Sequence, residues 1–167
     1  HEPEKATQKA KDLVKMAVAK AALLEPQTEP EVEVKDSSLV VGAGVAGMTA
    51  ALSMARQGFK VFLIEKEKEL GGNLRESFYT LKGANPQILL HSLIKQVEQN
   101  GSIHLYKEAE ILGFEKKNGT YRTKIRHQNE EKILNHGALI LATGGKEITP
   151  KGYLYGEDER VITQRQL

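Results

Sequence analysis

Apolar residues in this chain change period several times, and each change marks a new element. Ala10, Leu13, Val14, Ala17, Ala21 and Leu24 recur at helical spacing, while Lys11, Lys15 and Lys20 keep to other faces. Pro3 suits a first helical turn, Glu2 and Glu4 favour its N-terminus, and Pro26 ends the pattern. The stripe is thin and rich in alanine. It predicts a helix over 1–25 that packs on its own or a neighbouring domain rather than on a membrane surface. Pro26, Pro30 and alternating Glu and Val then read as an extended linker over 26–37.

From residue 38 the texture becomes that of an α/β domain, expected to run to 150 and to be followed by an extension over 151–167. The apolar run Leu39-Val40-Val41 enters the glycines 42, 44 and 47, and a helical pattern leaves them over 48–57 before Gly58 stops it. A second apolar run, Val61-Phe62-Leu63-Ile64, ends in Glu65. No period governs 75–84, which reads as an irregular excursion. Asn85 and Pro86 then supply an N-cap and a first helical position, and Ile88, Leu89, Leu90, Leu93, Ile94 and Val97 form a broad apolar face as far as Asn100-Gly101. A third strand is expected over 102–106.

Beyond it the pattern alternates over 108–115, 120–127 and 131–134, with Lys117-Asn118-Gly119 and Gln128-Asn129-Glu130 at the joints. Asn-Gly between alternating runs signals a hairpin, so an antiparallel meander replaces a crossover helix. His127 and His136 fall at its turns and read as solvated, and His91 reads as a surface residue of its helix. The continuous run Ala138-Leu139-Ile140-Leu141-Ala142 reads as a buried strand of the parallel sheet that stops at Thr143-Gly144-Gly145. The expected fold is α/β, a Rossmann-like parallel sheet with an antiparallel β-meander, preceded by an N-terminal helix.

The spacing has a chemical sense. Gly42 allows a tight turn out of the first strand, and Gly44 lets backbone approach a pyrophosphate with no side chain in the way. Gly47 lets the helix pack close, so that its N-terminus offers free N–H groups to an anion. Glu65 follows at about 20 residues, the distance at which an acid accepts hydrogen bonds from ribose hydroxyls and repels a 2′-phosphate. After the charge run Lys66-Glu67-Lys68-Glu69, the pair Gly71-Gly72 allows a loop to pass close to something flat or anionic. Thr143-Gly144-Gly145 lies beyond the carboxyl end of a parallel strand, where ligands bind in open α/β sheets.

Composition narrows the rest. The 167 residues carry 24 Lys and Arg against 22 Asp and Glu, a formal charge of +2, with no basic patch interleaved with aromatics, so no nucleic-acid partner is expected. There is no cysteine, which excludes disulfides, thiolate metal sites, cluster ligands and a redox dithiol within these residues. No Ser/His/Asp or paired-carboxylate arrangement stands out, so neither a catalytic residue nor a metal ligand is assigned. The absence of a signal peptide and of an apolar run of about 18 residues predicts a cytoplasmic protein without direct membrane insertion. A chain running from His1 to Leu167 is expected to be a piece of a longer protein.

Taken together, Gly42-x-Gly44-x-x-Gly47-x-x-x-Ala51, Glu65, Gly71-Gly72 and Ala142-Thr143-Gly144, with a meander before the last, resemble the FAD-binding half of flavoproteins with two dinucleotide-binding domains. The helix 11–21 with Leu24-Glu25-Pro26, the stretch Gly71-Gly72-Asn73-Leu74-Arg75 and residues 155–164 are similar to the A-type subunit of heterodisulfide reductase. That resemblance implies an FAD-dependent oxidoreductase, of which this chain is a fragment not active alone. In such a protein FAD passes electrons between iron–sulfur clusters and other subunits of an electron-transfer complex, in some members with electron bifurcation. The clusters would lie outside these cysteine-free residues.

By the same resemblance, Gly42, Gly44, Val45, Ala46 and Gly47 line the pyrophosphate, Glu65 holds the adenosine ribose, and Lys66 packs beside the adenine. Gly71, Gly72, Asn73 and Arg75 approach the flavin-side phosphate and ribitol, although Arg75 has a plain surface role as its alternative. Ile111 offers main chain to the adenine, and Ala142, Thr143 and Gly144 close over the dinucleotide. Two other readings stand beside this one. A nicotinamide-dinucleotide domain is disfavoured by the Gly-Gly pair and the meander, and a scaffold with a vestigial pocket by the intact Gly42, Gly44, Gly47 and Glu65. The expected ligand behaviour is binding of the ADP half of FAD with a weakened hold on the flavin ring.

Overall fold

The computed structural model describes residues 2–26, 34–117, 119–163 and 166. Residues 27–33 of the linker, Asn118 of the first hairpin joint and Gln164 lie outside the described residues. The chain divides into two units, 1–31 and 32–167. In the first, α1 spans Pro3–Ala22, with proline in its first turn and Lys20 in its last. None of its residues is buried, and Leu13, Val14, Met16 and Val18 are each more than half exposed. Its alanines and lysines supply helix propensity without needing a packed face.

In the second unit, β1 (Ser37–Val41), α2 (Val45–Arg56), β2 (Lys60–Ile64), α3 (Pro86–Gln99) and β3 (Ile103–Tyr106) alternate as the hydrophobic periods require. The meander follows as β4 (Glu110–Lys117), β5 (Thr120–His127) and β6 (Glu130–His136), and β7 (Ala138–Leu141) returns beside β1. The parallel sheet has the order β3-β2-β1-β7, and the antiparallel one the order β4-β5-β6. Strand alternation sorts the side chains into two cores. Val40, Val61 and Leu63 pack with Met48 and Ala51 of α2 and with Leu90, Leu93 and Val97 of α3. Leu39, Phe62 and Ile64 point the other way, against Ala109, Ile125 and Leu134. The central strands therefore read as continuous apolar runs, because both faces of their sheet are covered. A leucine as fully buried as Leu39 or Leu63 stabilises the fold by roughly 1.5–3 kcal/mol.

Three expectations shift. The helix after the glycines begins at Val45, three residues before the expected start, with Gly44 as its N-cap. Within the stretch that includes the start of the irregular excursion, Gly72–Glu76 form a single 3₁₀ turn, too short for a periodic signal. The run at 138–142 was expected to be buried, and this is corrected: among the described residues β7 has one neighbour, β1, and Leu141 is 70% exposed. The start of α3 is as expected, with Asn85 Oδ1 accepting from the Gln87 N–H at 2.9 Å.

The solvated reading of His127 and His136 is also corrected. His136 is fully buried, stacked on Tyr121 with ring centroids 5.6 Å apart, and His127 is half-buried with its ring edge-on to Tyr106. His136 Nδ1 lies 2.8 Å from the Ala138 carbonyl and Nε2 lies 2.9 Å from the Thr123 hydroxyl. A carbonyl can only accept, so Nδ1 carries the proton and Nε2 accepts from Thr123. Burial disfavours the imidazolium and lowers the pKa of His136 below its ordinary value, outweighing the Ala138 carbonyl.

The unfolded chain therefore takes up the proton first as pH falls. Stability contributed by neutral His136 is complete above about pH 6.5 and is lost as pH drops below it. Urea midpoints measured from pH 7.5 downwards should fall in this window, and the fall should shrink in a His136→Phe, Thr123→Val chain. An equal slope in both chains would show that other groups carry it.

Candidate functional site

The carboxyl ends of β1, β2 and β7 bring the sequence motifs to one place. Gly42 leaves β1 with its N–H on the Ile64 carbonyl at 2.8 Å and a φ of 100° that L side chains rarely adopt. A Cβ there would run into the Ala142 carbonyl, and one on Gly47 would run into the Gly42 carbonyl. Both glycines are explained by packing alone. Gly44 is different. Its φ of −73° suits any residue, and a Cβ on it would meet nothing within 4 Å. Glycine at 44 leaves open space next to the start of α2.

That helix start carries no side-chain cap. Gly44 is its N-cap and offers no side-chain acceptor, and no acid lies in the first turn. The first intrahelical bond of this turn runs from Met48 to the Gly44 carbonyl. The N–H groups of Val45, Ala46 and Gly47 have no acceptor within the helix and form the positive end of its dipole.

Glu65 follows β2 and is only 7% exposed. Its carboxylate accepts from the Ala43 N–H at 2.7 Å and from the Glu67 N–H at 3.0 Å, and so ties the glycine turn to the loop after β2. Each oxygen retains a lone pair for a further donor such as a ribose hydroxyl. The Gly71-Gly72 pair lies against the same turn. Gly71 donates to the Ala43 carbonyl at 2.8 Å and bridges Gly44, and a Cβ on Gly72 would stand 3.4 Å from Gly44 Cα. From the 3₁₀ turn, Asn73 Nδ2 reaches the Gly145 carbonyl at 3.3 Å, and Ala142 donates to the Val41 carbonyl. Four motifs spread over 103 residues of chain, from 42 to 144, thereby share one rim.

The remaining sequence candidates fall around this rim in different ways. Thr143 and Gly144 are exposed beyond β7, and Gly144 has a φ of 68°. Lys66 is largely exposed beside Glu67. Ile111 is 40% exposed at the start of β4, where the strand register breaks, while its near neighbour Ala109 donates to the Glu65 carbonyl. Arg75 turns to the α3 side and pairs with Glu69 at 2.8 Å. There it lines an open groove of about 340 Å³ with Leu70, Leu90, Ile94 and Lys107. His91 is exposed, as expected. Sequence reasoning passed over Gln87, whose side chain donates to the carbonyls of Leu74 and Ser77. Nothing in its spacing distinguishes it from a surface glutamine. Among the described residues no group of His, Asp and Glu could hold a metal ion.

A parallel sheet whose first βα turn carries three glycines, two of them demanded by packing, is the architecture of dinucleotide-binding oxidoreductases. The pyridine nucleotide-disulphide oxidoreductase family matches residues 36–167, and the chain belongs to it. Its sequence is 39% identical over 142 residues to an A-type iron–sulfur subunit of CoB–CoM heterodisulfide reductase from Methanopyrus kandleri, covering 82% of this chain and 22% of that protein. It is 41% identical over 146 residues to the A-type subunit of the H(2):CoB-CoM heterodisulfide,ferredoxin reductase of Methanothermobacter thermautotrophicus, covering 83% and 22%. The chain thus spans less than a quarter of the length of these relatives. In fold it resembles L-proline dehydrogenase from P. horikoshii, with a TM-score of 0.58 and 24% identity over 71% of this chain and 25% of that one. Thioredoxin reductase of Lactococcus lactis gives a TM-score of 0.54 and 24% identity over 68% and 37%.

Proposed function

We propose that this chain is the FAD-binding portion of an electron-transfer protein related to the A-type subunit of heterodisulfide reductase. The observation that carries the proposal is the unfilled space at Gly44, set against an uncapped helix N-terminus. In this reading the N–H groups of Val45, Ala46 and Gly47 take the pyrophosphate, and Gly42 shapes the turn. Glu65 takes the ribose through the lone pairs that Ala43 and Glu67 leave open, with Lys66 and Ile111 near the adenine. Gly71, Gly72 and Asn73 approach the flavin-side phosphate and ribitol, and Ala142, Thr143 and Gly144 close the far side. FAD bound there supplies electron transfer, and the protein supplies binding, orientation and electrostatics.

Iron–sulfur clusters of the parent protein, ligated by cysteine, would lie outside these 167 residues, which have none. Its partners are other subunits of an electron-transfer complex, consistent with relatives that are themselves named as subunits. Among the described residues no helix is long and apolar enough to cross a membrane, and a cytoplasmic location is part of the proposal.

Calorimetric titration of the chain with FAD, ADP and NAD tests this reading. FAD and ADP should bind and NAD should bind more weakly, with Glu65→Ala costing on the order of 1–3 kcal/mol of binding for a lost ribose hydrogen bond. ADP bound as tightly as FAD would mean that the flavin ring gains little hold here. NAD bound more tightly than FAD would favour the nicotinamide reading, and silence from both FAD and ADP would sink the proposal.

A further inference from the structure

The loop carrying Gly71, Gly72 and Asn73 is fastened from behind by the side chains of Glu69, Arg75 and Gln87. Arg75 Nη1 donates to Glu69 Oε2 at 2.8 Å and Arg75 Nε points to the Gly72 carbonyl at 3.5 Å. The ion pair closes a ring of seven residues around the glycine pair. Its inner side is filled: a Cβ on Gly71 would meet Leu90 Cδ1 at 2.6 Å and Arg75 Cγ at 3.1 Å, and Leu70 is buried. From the first turn of α3, Gln87 Nε2 donates to the Leu74 carbonyl at 2.8 Å and to the Ser77 carbonyl at 2.7 Å. These carbonyls sit within and just after the 3₁₀ turn that carries Asn73.

We propose that Gln87, Arg75 and Glu69 are positioning residues that hold Gly71, Gly72 and Asn73 in place against the glycine turn. The inference rests on the FAD reading for its ligand but not for its geometry. Adjacent glycines, at φ 114° and 52°, have more conformational freedom to lose than any other pair. A loop already ordered spares that loss when a ligand binds, so it binds more tightly. An ion pair with Glu69 as exposed as this one contributes little by itself. Its effect comes from acting with the Gln87 bonds on the same short loop. In this arrangement Arg75 acts through the loop, with its guanidinium committed to Glu69 rather than to a phosphate.

The test compares Gln87→Leu, Arg75→Gln and Glu69→Gln in the full chain. The first readout is amide exchange at Gly71, whose N–H is held by the Ala43 carbonyl. Each variant should speed it by several-fold, while exchange at Met48, bonded to the Gly44 carbonyl, stays unchanged. The second readout is affinity. FAD binding should weaken by about five- to tenfold and ADP binding by no more than about twofold, and the Glu69 and Arg75 changes should not add. A role in general stability alone would not move the FAD-to-ADP ratio. Unchanged Gly71 exchange in the variants overturns the proposal. So does an Arg75→Gln loss paired with a Glu69→Gln gain, which would mark a direct phosphate contact. Slow Gly71 exchange that the variants release, in a chain that takes up neither FAD nor ADP, supports the clamp and sinks the FAD reading.

Discussion

Gly44→Asp is expected to stabilise the folded chain slightly while lowering its affinity for FAD and ADP by about 100-fold, close to 2.7 kcal/mol. The two effects have one origin. Gly44 is the N-cap of α2 with φ −73° and ψ −175°, an extended conformation that aspartate adopts without strain, and its Cβ would enter open space. There the carboxylate would accept from the first-turn N–H groups and complement the helix dipole, which favours Asp over Gly by a few tenths of a kcal/mol. Those are the same N–H groups proposed for the pyrophosphate. The new side chain would fill the ligand's space and repel its charge. Denaturation midpoints and calorimetric titration of the two chains check both halves. Undiminished ADP affinity would show that no phosphate approaches Gly44.

Gly47→Ala should have the opposite profile, a large loss of stability. The added methyl would overlap the Gly42 carbonyl, which is backbone and already engaged in the turn, so the helix or the turn must move. Overpacking of this kind costs about 1–3 kcal/mol, and the upper end is expected because no flexible side chain can give way. In a domain of this length that is a fall of roughly 6–12 °C in melting temperature. Binding should then weaken only as a consequence of the displaced helix start, with no added charge or bulk in the ligand space. A melting temperature within about 2 °C of wild type would mean that α2 can slide without penalty.

These two glycines look alike in the sequence, and so does Gly42. The spacing of the triplet gave the turn, the helix and the ligand class, because each step along a helix or out of a strand is set by local geometry. Which glycine is demanded by packing and which leaves open space depends on what lies opposite. The Ala142 carbonyl, 100 residues further along, stands where a Cβ on Gly42 would go, while a Cβ on Gly44 would meet nothing within 4 Å. Glu65 is a similar case. Its distance from the triplet marked it as a ribose acid, yet its tie to the Ala43 N–H is visible only in the folded chain.

What the sequence determined by itself is the type and order of the α-helices and strands, with bounds that fall within about three residues at most of their ends. Hydrophobic period reports which side of a helix or strand is apolar, and Asn85-Pro86 and the glycines punctuate it. Tertiary structure decided what covers each side and where polar side chains turn. His136 looked like a turn residue and became a buried ring between Thr123 and Ala138, because β6 continues to it and its side of the meander faces inward. The run at 138–142 reads as a buried strand, yet among the described residues it pairs with β1 alone, since apolar content does not reveal how many neighbours a strand has. For Arg75 the sequence leaves a flavin-side phosphate contact and a plain surface role both open, and its ion pair with Glu69 is visible only in the folded chain. In each case the deciding contact forms only in the folded chain, and a local pattern carries no record of it.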